Sequence, residues 1–242
     1  MSVLPRQFAA RVTLLRDKVP SFDEYPFSLP VVRTLESIEL HPRVTFLVGE
    51  NGSGKSTLLE AMAVALEFNA EGGSRNFNFS TRASHSELHE FLRIAKGVRP
   101  HDAFFLRAES WFNVATQVEQ LGVGHFYGRR SLHEQSHGES FMALLKHRFR
   151  GNGLYLLDEP EAALSPTRQI EALQRFHELV QQDSQFVIAT HSPILMAYPD
   201  ALILQCTPNG IRPVRYEDTE HFRITRDFLL HRDKVLAILM EP

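Results

Sequence analysis

The chain has 242 residues, of which 43% are hydrophobic and 23% charged, and its formal net charge is -3. This composition suits one sizeable folded α/β domain, excludes a largely disordered chain and gives no global attraction for nucleic acid or anionic membranes. There is no signal-peptide pattern or uncharged apolar run of about twenty residues, and Cys206 is the single cysteine, so we expect a cytoplasmic protein without direct membrane insertion.

Three short runs with β-strand character open the chain, at residues 12–16, 35–40 and 44–48. The third run is almost entirely apolar, which is typical of a buried strand. A glycine-rich loop follows it directly, and the alanine-rich stretch 56–68 after that loop favours a helix. The order strand, loop, helix is therefore predicted for this part of the chain.

Residues 71–150 differ in character from the sequence on either side. They include a polar, histidine-rich pattern at 84–96 that favours a helix, and one strand-like run at 103–107. We therefore predict an inserted helical lobe at about 71–150 and a core lobe formed by about 1–70 and 151–242.

Apolar runs and helical stretches alternate again in the C-terminal part of the chain. Predicted buried strands lie at 154–157, 186–189 and 202–204, with a helix at 165–181 between the first two. Short buried strands separated by helices predict an α/β fold with a mostly parallel sheet. A last helix is expected at about 225–240.

The strongest functional pattern lies between the predicted strand 44–48 and the helix that follows. It is the segment Gly49-Glu50-Asn51-Gly52-Ser53-Gly54-Lys55-Ser56-Thr57. This segment satisfies the phosphate-loop pattern G-x-x-x-x-G-K-[ST]. Its backbone N–H groups are expected to surround phosphates, Lys55 to reach the β- and γ-phosphates and Ser56 to offer its hydroxyl to Mg²⁺. The alternative, a glycine-rich turn without function, requires a coincidence expected in roughly one chain in a hundred.

Polar residues end two of the predicted C-terminal strands. Asp158 and Glu159 follow the strand 154–157, at the end where ligands bind in open α/β sheets. We expect Asp158 to hold Mg²⁺, and Glu159 to take a proton from, or orient, the water that attacks the γ-phosphate. His191 follows the strand 186–189, where its imidazole would donate to the γ-phosphate. A single histidine in such a position is more often structural, so its assignment depends on the other two motifs.

Together these motifs resemble those of the ABC-type ATPases over most of the chain. Ser136-His137-Gly138-Glu139-Ser140 resembles the signature segment of that family in its SMC- and MutS-like variant. Ser136 and Glu139 also form a capping-box pattern, which is compatible with the signature because a capped helix N-terminus suits an anion. In the family, the signature contacts the γ-phosphate of ATP bound by the partner subunit. The resemblance therefore implies that Ser136, Gly138 and Glu139 bind ATP across a head-to-tail homodimer.

The resemblance also implies the fold, a P-loop NTPase with a mostly parallel central sheet, an N-terminal antiparallel β subdomain and an inserted helical lobe. Glu161 to Ser165 corresponds to the D-loop, which crosses the dimer interface in the family. Glu109 stands where the family carries the glutamine of its glutamine loop, and its carboxylate is an oxygen ligand suited to Mg²⁺. The replacement of that glutamine by Glu109 argues against coupling to a membrane transporter.

The spacing of the motifs restricts the choice of subfamily within the ABC-type ATPases. Residues 110–135 are too few for the long coiled coil that SMC and Rad50-like heads insert before the signature. The chain looks most like compact stand-alone predicted ATPases of bacteria, which share its segments at Ala83-Ser84-His85 and from Thr219 to Leu229.

These patterns predict an ATPase that acts as a molecular switch. Mg-ATP would close a head-to-tail homodimer, and an unidentified protein or nucleic acid would sense the change. The alternative is the ATP-binding subunit of an ABC membrane transporter. A third hypothesis, a phosphotransferase, explains Lys55 and Ser56 but not Glu159, Ser136 and His191 in this order.

Two further patterns carry less weight. His85 with His89, and His133 with His137, have helical i, i+4 spacing but no third ligand in view, so no site metal other than nucleotide-bound Mg²⁺ is expected. The stretch 129–150 is modestly basic and would suit an acidic partner, although a solvated surface is the more common explanation.

Overall fold

The computed structural model describes residues 7–74, 86–128 and 130–241. The motif at Ala83-Ser84-His85 and residue Arg129 of the basic stretch therefore lie outside the described residues. The strands of the described ranges are β1 Ala9–Leu14, β2 Ser37–Glu39, β3 Val44–Val48, β4 Leu92–Lys96, β5 Asp102–Arg107, β6 Gly153–Asp158, β7 Gln185–Ala189, β8 Leu202–Thr207 and β9 Gly210–Val214. The α-helices of these ranges are α1 Pro30–Arg33, α2 Lys55–Ala65, α3 Trp111–Gln120, α4 His137–Ala143, α5 Pro166–Val180, α6 Pro193–Met196, α7 Glu220–Leu230 and α8 Arg232–Leu239.

The central sheet has six strands in the order β5-β6-β7-β3-β8-β9. Every neighbouring pair is parallel except β8 and β9, which form an antiparallel hairpin. β3, β6 and β7 are buried along their whole length, which explains why their sequences are mostly apolar. Because the five parallel strands run in one direction, their carboxyl ends meet at one edge of the sheet. The predicted α/β fold with a mostly parallel sheet is confirmed.

A second, smaller sheet has the order β2-β1-β4 and is antiparallel. Val12 of β1 lies opposite Ile38 of β2 and Ile94 of β4. The predicted N-terminal antiparallel subdomain is thus present. The helix predicted at 84–96 is wrong within the described part, because a short 3-10 turn at Glu87–Phe91 leads directly into β4. Pairing with β1 outweighs the helical pattern of that stretch.

The central sheet separates two hydrophobic cores. Phe46, Tyr155 and Phe186 face one core together with Trp111 and other residues of α3, α4 and α5. Leu47, Leu154 and Val187, their neighbours along the strands, face the other core with α2 and the small sheet. This alternation follows from the two-residue period of β-strands. Both faces of the sheet are therefore covered. The carboxyl ends of its parallel strands lie between the two cores.

The helical lobe is smaller than its predicted range of 71–150. β4 and β5 lie in that range but pair with strands of the two sheets. Helical structure runs from α3 through a 3-10 turn at Gly124–Tyr127 to α4, which continues into a π-helical segment at Leu144–Arg148. The boundary predicted at 71 is thus too early, because strand pairing assigns the segment before α3 to the core.

The helix predicted at 225–240 is divided into α7 and α8, which meet at His231. α7 begins earlier than predicted, because Thr219 caps it by accepting from the N–H of Phe222 at 3.4 Å. Neither helix contains a buried residue. Within the three described ranges, no helix has the length and apolar character needed to cross a membrane.

Candidate active site

The phosphate-loop segment connects β3 to α2 at the carboxyl edge of the central sheet. Gly49 and Gly54 have φ angles of 149° and 95°, and a Cβ at Gly49 would lie 2.4 Å from the carbonyl oxygen of Cys206. Only glycine accommodates this close approach of the loop to β8. The glycines thus allow the loop to turn sharply before the helix begins.

Lys55 crosses the inside of this loop. Its side chain is buried, and its Nζ donates to the carbonyl oxygens of Gly49 at 2.8 Å and Glu50 at 3.0 Å. Burial lowers the pKa of Lys55 below its ordinary value, and the negative charges of Glu159 and Asp158 act in the opposite direction. The lysine is therefore a desolvated cation beside two carboxylates.

Ser56 and Asp158 meet where the phosphate loop faces the end of β6. The Oγ of Ser56 donates to Oδ1 of Asp158 at 2.9 Å, although 102 positions separate the two residues in the chain. Asp158 is buried, and this burial raises its pKa to about 6, while the Ser56 hydroxyl and the Arg107 guanidinium favour the carboxylate. A hydroxyl and a carboxylate in contact form an oxygen donor set of the kind that Mg²⁺ prefers.

Glu159 and His191 lie next to this pair. Glu159 has φ 49° and ψ 51° in the left-handed region, an uncommon conformation for a residue other than glycine. Its N–H donates to the carbonyl oxygen of Ala189 at 2.9 Å, which ties the end of β6 to β7. Its Oε1 lies 3.6 Å from Nε2 of His191. This distance is beyond a normal hydrogen bond, so the two groups face each other without being bonded.

The ring of His191 is positioned by neighbours from other segments. Its backbone N–H donates to Oε1 of Glu161 at 2.5 Å, and its Nδ1 lies 3.0 Å from Nε2 of His221. Among the described residues, its buried Nε2 has no hydrogen-bond partner. Burial lowers the pKa of His191, and the charge of Lys55 lowers it further. The imidazole is therefore neutral at neutral pH.

Arg107, Glu161 and His221 contact this group of residues, but none of them was assigned a role in the site from the sequence. Glu161 was named only as the first residue of the D-loop segment. Arg107 ends β5 opposite Asp158 in register, and its Nε lies 4.0 Å from Oδ2 of Asp158. Arg107 could have been found as the last residue of a predicted strand, at the edge where the motifs meet. His221 lies in the terminal segment that the family resemblance singled out. No local sequence pattern predicts its contact with His191.

Glu109 lies near the same edge and is strongly exposed, with 86% of its side-chain surface accessible. Its Oε2 is 3.5 Å from Nη2 of Arg107. In the part of the chain that the structure describes, no hydrogen bond or ion pair joins Glu109 to Ser56 or Asp158. The structure therefore brings Ser56 and Asp158 together as candidate metal ligands and leaves Glu109 outside that contact.

The signature-like segment begins helix α4. Ser136 and Glu139 form the predicted capping box: the N–H of Ser136 donates to Oε2 of Glu139 at 2.9 Å, and the N–H of Glu139 donates to Oγ of Ser136 at 3.3 Å. Both residues are exposed. Within residues 7–74, 86–128 and 130–241, no hydrogen bond or ion pair links Ser136, Gly138 or Glu139 to the phosphate loop.

Gly138 is buried where α4 meets the segment that follows Asp158 and Glu159. A Cβ at Gly138 would lie 2.8 Å from the carbonyl oxygen of Ala163 and 2.7 Å from Nη1 of Arg168. The absence of a side chain therefore permits close packing of the signature segment on the D-loop segment. The two segments are in direct contact in this fold.

Comparisons with known proteins find relatives among domains and proteins that bind ATP. Residues 27–137 match the AAA domain family. Residues 119–197 match a second AAA domain family, described with the AbiEii toxin of type IV toxin–antitoxin systems.

Three relatives illustrate the similarity in sequence. The chain is 30% identical over 166 residues to the thiamine import ATP-binding protein ThiQ of Cereibacter sphaeroides, a match that covers 61% of this chain and 70% of the relative. It is 27% identical to the lipoprotein-releasing system ATP-binding protein LolD 2 of Caulobacter vibrioides, over 72% of this chain and 86% of that protein. It is 24% identical to an uncharacterized ABC transporter ATP-binding protein of Haemophilus influenzae, over 64% of this chain and 66% of the relative, just under two thirds of its length.

The fold is similar to that of a solved ATP-binding cassette of an ABC transporter in its ADP conformation. The TM-score is 0.51 at 17% sequence identity, and the superposition covers 97% of this chain and all of the other. At this identity the likeness concerns the fold alone.

Proposed function

This chain belongs to the ABC-type ATPases, and on that premise we propose that residues 1–242 form a single domain that binds Mg-ATP and hydrolyses it to ADP and phosphate. The observation that carries the proposal is the 2.9 Å contact between Ser56 and Asp158, directly beside the loop that Lys55 crosses. It joins the phosphate loop to the end of β6, where Glu159 follows. Binding residues and the proposed catalytic carboxylate thus share one edge of the sheet.

The donor groups at this edge suit the triphosphate of ATP and a Mg²⁺ ion. The backbone N–H groups of Gly49 to Thr57 and the ammonium of Lys55 would bind the phosphates. Ser56 and Asp158 would hold Mg²⁺, which neutralises charge on the β- and γ-phosphates. The raised pKa of Asp158 supports this assignment, because a buried carboxylate gains stability from a cation placed beside it.

Glu159 and His191 are the proposed catalytic pair. Glu159 would accept a proton from the attacking water or orient it, and the Nε2–H of His191 would donate to the γ-phosphate. The 3.6 Å separation of Glu159 Oε1 and His191 Nε2 supports the proposal that both side chains act on the same γ-phosphate and attacking water. The buried Nε2 that lacks a partner in the described residues supports a role as donor to a ligand.

The exposed side chains of Ser136 and Glu139 in the signature segment support ATP-dependent dimerisation. Ser136 and Glu139 have their capping hydrogen bonds within α4 and no bond to the phosphate loop of the same chain among the described residues. In a head-to-tail homodimer, the signature of each copy would face the γ-phosphate held by the other. Two ATP molecules would then connect the copies, and hydrolysis would release them.

The test is the solution mass of the Glu159→Gln variant, measured by light scattering with and without Mg-ATP. Glutamine keeps the size of the side chain but removes the base, so ATP remains bound and the closed state should accumulate. We expect a monomer without nucleotide and a dimer with Mg-ATP. The double variant Lys55→Ala with Glu159→Gln is the matched control, because it should bind ATP far more weakly and remain monomeric at the same Mg-ATP concentration.

A mass that does not change with Mg-ATP, with ATP binding demonstrated separately by calorimetry, would refute the dimer and leave the nucleotide site intact. Hydrolysis by Glu159→Gln at the wild-type rate would refute the catalytic role of Glu159. The two parts of the proposal can therefore fail independently.

Two outputs of the ATPase cycle are possible, and different observations support each. The names of the three relatives support an ATP-binding subunit that couples to an ABC membrane transporter, and this is the better supported of the two. Glu109 in place of the family's glutamine supports a switch that acts in the cytoplasm on another protein or nucleic acid. Sedimentation of the native protein with membranes, in complex with an integral membrane protein, would favour the transporter, whereas recovery of the active ATPase without one would favour the switch.

A further inference from the structure

The ring of His191 is contacted on both of its nitrogens by residues from different parts of the chain. Its Nδ1 lies 3.0 Å from Nε2 of His221, which is within hydrogen-bond distance. Its Nε2 faces Oε1 of Glu159 at 3.6 Å. The His191 and His221 rings are 5.1 Å apart between centroids, with an interplanar angle of 63°. His191 thus lies between a carboxylate of the active site and a histidine of the C-terminal segment.

A hydrogen bond between two imidazoles requires one ring to donate and the other to accept. Burial lowers the pKa of both His191 and His221, so both rings are neutral at neutral pH. Each neutral ring has one N–H and one bare nitrogen. Either His221 donates its Nε2–H to Nδ1 of His191, or His191 donates its Nδ1–H to Nε2 of His221.

The carboxylate of Glu159 selects between these arrangements. If His191 donated from Nδ1, the lone pair of its Nε2 would face the negative charge of Glu159, which is repulsive. If His191 accepts at Nδ1, its Nε2 carries the hydrogen and faces an acceptor. The electrostatics therefore favour His221 as the donor.

We propose that His221 is a positioning residue for His191: it donates its Nε2–H to Nδ1 of His191 and keeps the ring proton of His191 on Nε2, toward Glu159 and the reacting phosphate. The inference rests on the proposed role of His191 in hydrolysis. It assigns a function to the terminal segment, which follows all the phosphate-binding motifs in the sequence.

The segment that carries His221 is fixed to the loop after His191 at a second point. The hydroxyl of Tyr216 donates to the carbonyl oxygen of Pro193 at 3.0 Å. The rings of Tyr216 and Phe222 pack with centroids 4.5 Å apart. Thr219 between them is buried, and its Oγ1 donates to the carbonyl oxygen of Tyr216 at 2.7 Å. The segment on both sides of His221 is therefore held by contacts other than the one between His221 and His191.

The test compares His221→Leu with His221→Gln. Leucine has a similar size but no donor, whereas the amide nitrogen of glutamine reaches about as far as Nε2 of histidine and can donate. We expect His221→Leu to lower kcat about tenfold with little change in KM for ATP, which is the size of one hydrogen bond. His221→Gln should recover most of the rate. His177→Leu is the matched control, because it removes a histidine whose Nδ1 contacts Tyr198 Oη at 3.2 Å away from the site.

A second measurement reports on the tautomer of His191 directly. Protonated and bare imidazole nitrogens give separate ¹⁵N signals, and those of His191 are identified by their loss in His191→Gln. In the nucleotide-free wild-type protein we expect the hydrogen of His191 on Nε2. In His221→Leu, part of the population should move it to Nδ1.

Three results would overturn the proposal: hydrogen on Nδ1 of His191 in the wild type, an unchanged tautomer in His221→Leu, or equal rate losses in His221→Leu and His221→Gln. The ¹⁵N measurement needs neither ATP nor turnover. If the wild-type protein did not hydrolyse ATP, the proposed function would fail, while the tautomer would still test the contact between the two histidines.

Discussion

The carboxyl edge of the central sheet and the signature segment on α4 hold their motif residues in opposite ways. At the sheet edge, Lys55 and Asp158 are buried, and both are bonded to other parts of the loop-and-sheet framework. At the start of α4, Ser136 and Glu139 are exposed and bonded to each other. The first region joins the phosphate loop to the end of β6 within one chain. The second presents the side chains of Ser136 and Glu139 to solvent.

The carboxylates of the two regions show the same contrast. Burial raises the pKa of Asp158 to about 6. Hydrogen bonds from the backbone and side chain of Ser136 lower the pKa of the exposed Glu139. The fold therefore disfavours the charge at the sheet edge, where a cation would compensate it, and favours the charge at the helix cap.

The largest effect is expected from Lys55→Ala. It removes a buried cation that donates two hydrogen bonds inside the phosphate loop. Charge-assisted bonds to a phosphate contribute about 1.5–3 kcal/mol each, so ATP affinity should fall at least about 100-fold, measured by isothermal titration calorimetry with Mg-ATP. Lys146→Ala, which removes an exposed lysine paired with Glu171 at 3.8 Å, should leave the affinity unchanged. A Lys55→Ala protein that binds ATP normally would contradict a complete phosphate site at the sheet edge.

The next effect is smaller and concerns the stability of the protein rather than ATP binding. Without nucleotide, Asp158→Asn should be more stable than the wild type. Because the folded-state pKa of Asp158 is raised from 3.8 to about 6, the folded protein is stabilised by the bound proton below about pH 4 and loses that stability as pH rises to about 6. Asparagine is neutral at every pH, so at pH 7.5 the variant should gain about 3 kcal/mol and melt several degrees higher.

The difference in Tm between wild type and Asp158→Asn should shrink when the pH is lowered from 7.5 to 4.5, as measured by differential scanning calorimetry. Asp233→Asn changes an exposed aspartate and is the control, with no expected shift. A lower Tm for Asp158→Asn at pH 7.5 would mean that the hydrogen bond from Ser56 outweighs the cost of burial.

The smallest effect is expected from Ser136→Ala in the signature segment. Loss of the helix cap should destabilise the protein by about 1 kcal/mol, or about 2–4 °C in Tm for a chain of this size. ATP binding by the monomer should not change, because Ser136 has no bond to the phosphate loop in the described structure. Ser136→Asp retains a capping oxygen and should restore the Tm. A monomer of Ser136→Ala with weakened ATP binding would show that the two regions are not separate.

The strands with mostly buried residues, including the edge strand β5, could be predicted closely from the sequence, whereas the partly exposed strands β4 and β9 could not. β3 was predicted at its observed bounds, and β6 and β7 to within one residue, because strands covered on both faces are mostly apolar. β4 was predicted as helix, and β9 was not predicted. Each has only one buried residue, and β9 contains Pro213, so strand pairing rather than an apolar pattern determines them.

In the candidate site, too, some contacts between residues that are distant in the chain could not be predicted from the sequence. The family resemblance is confirmed, and Lys55, Ser56, Asp158, Glu159 and His191 lie together at the carboxyl edge of the sheet, whereas Ser136, Gly138 and Glu139 lie at the start of α4. Their proposed roles remain predictions. His221 was named only as part of a terminal segment, because its contact with His191 joins positions 30 residues apart in the sequence through the packing of α7. The division of the terminal helix at His231 has no signal such as proline or glycine in the sequence.

The position of β3 in the sheet has a consequence for the order of events during protein synthesis. β3 and the phosphate loop are translated early, but the strands on either side of β3, β7 and β8, begin only at Gln185 and Leu202. At about 5–20 residues per second, a ribosome needs roughly 7–30 s to translate the nearly 140 residues between β3 and β7. Throughout that interval the most apolar strand of the nascent chain has both edges unpaired, which is the condition under which chains aggregate or recruit chaperones. The ATP site can therefore form only after β7 and β8 have emerged and paired with β3.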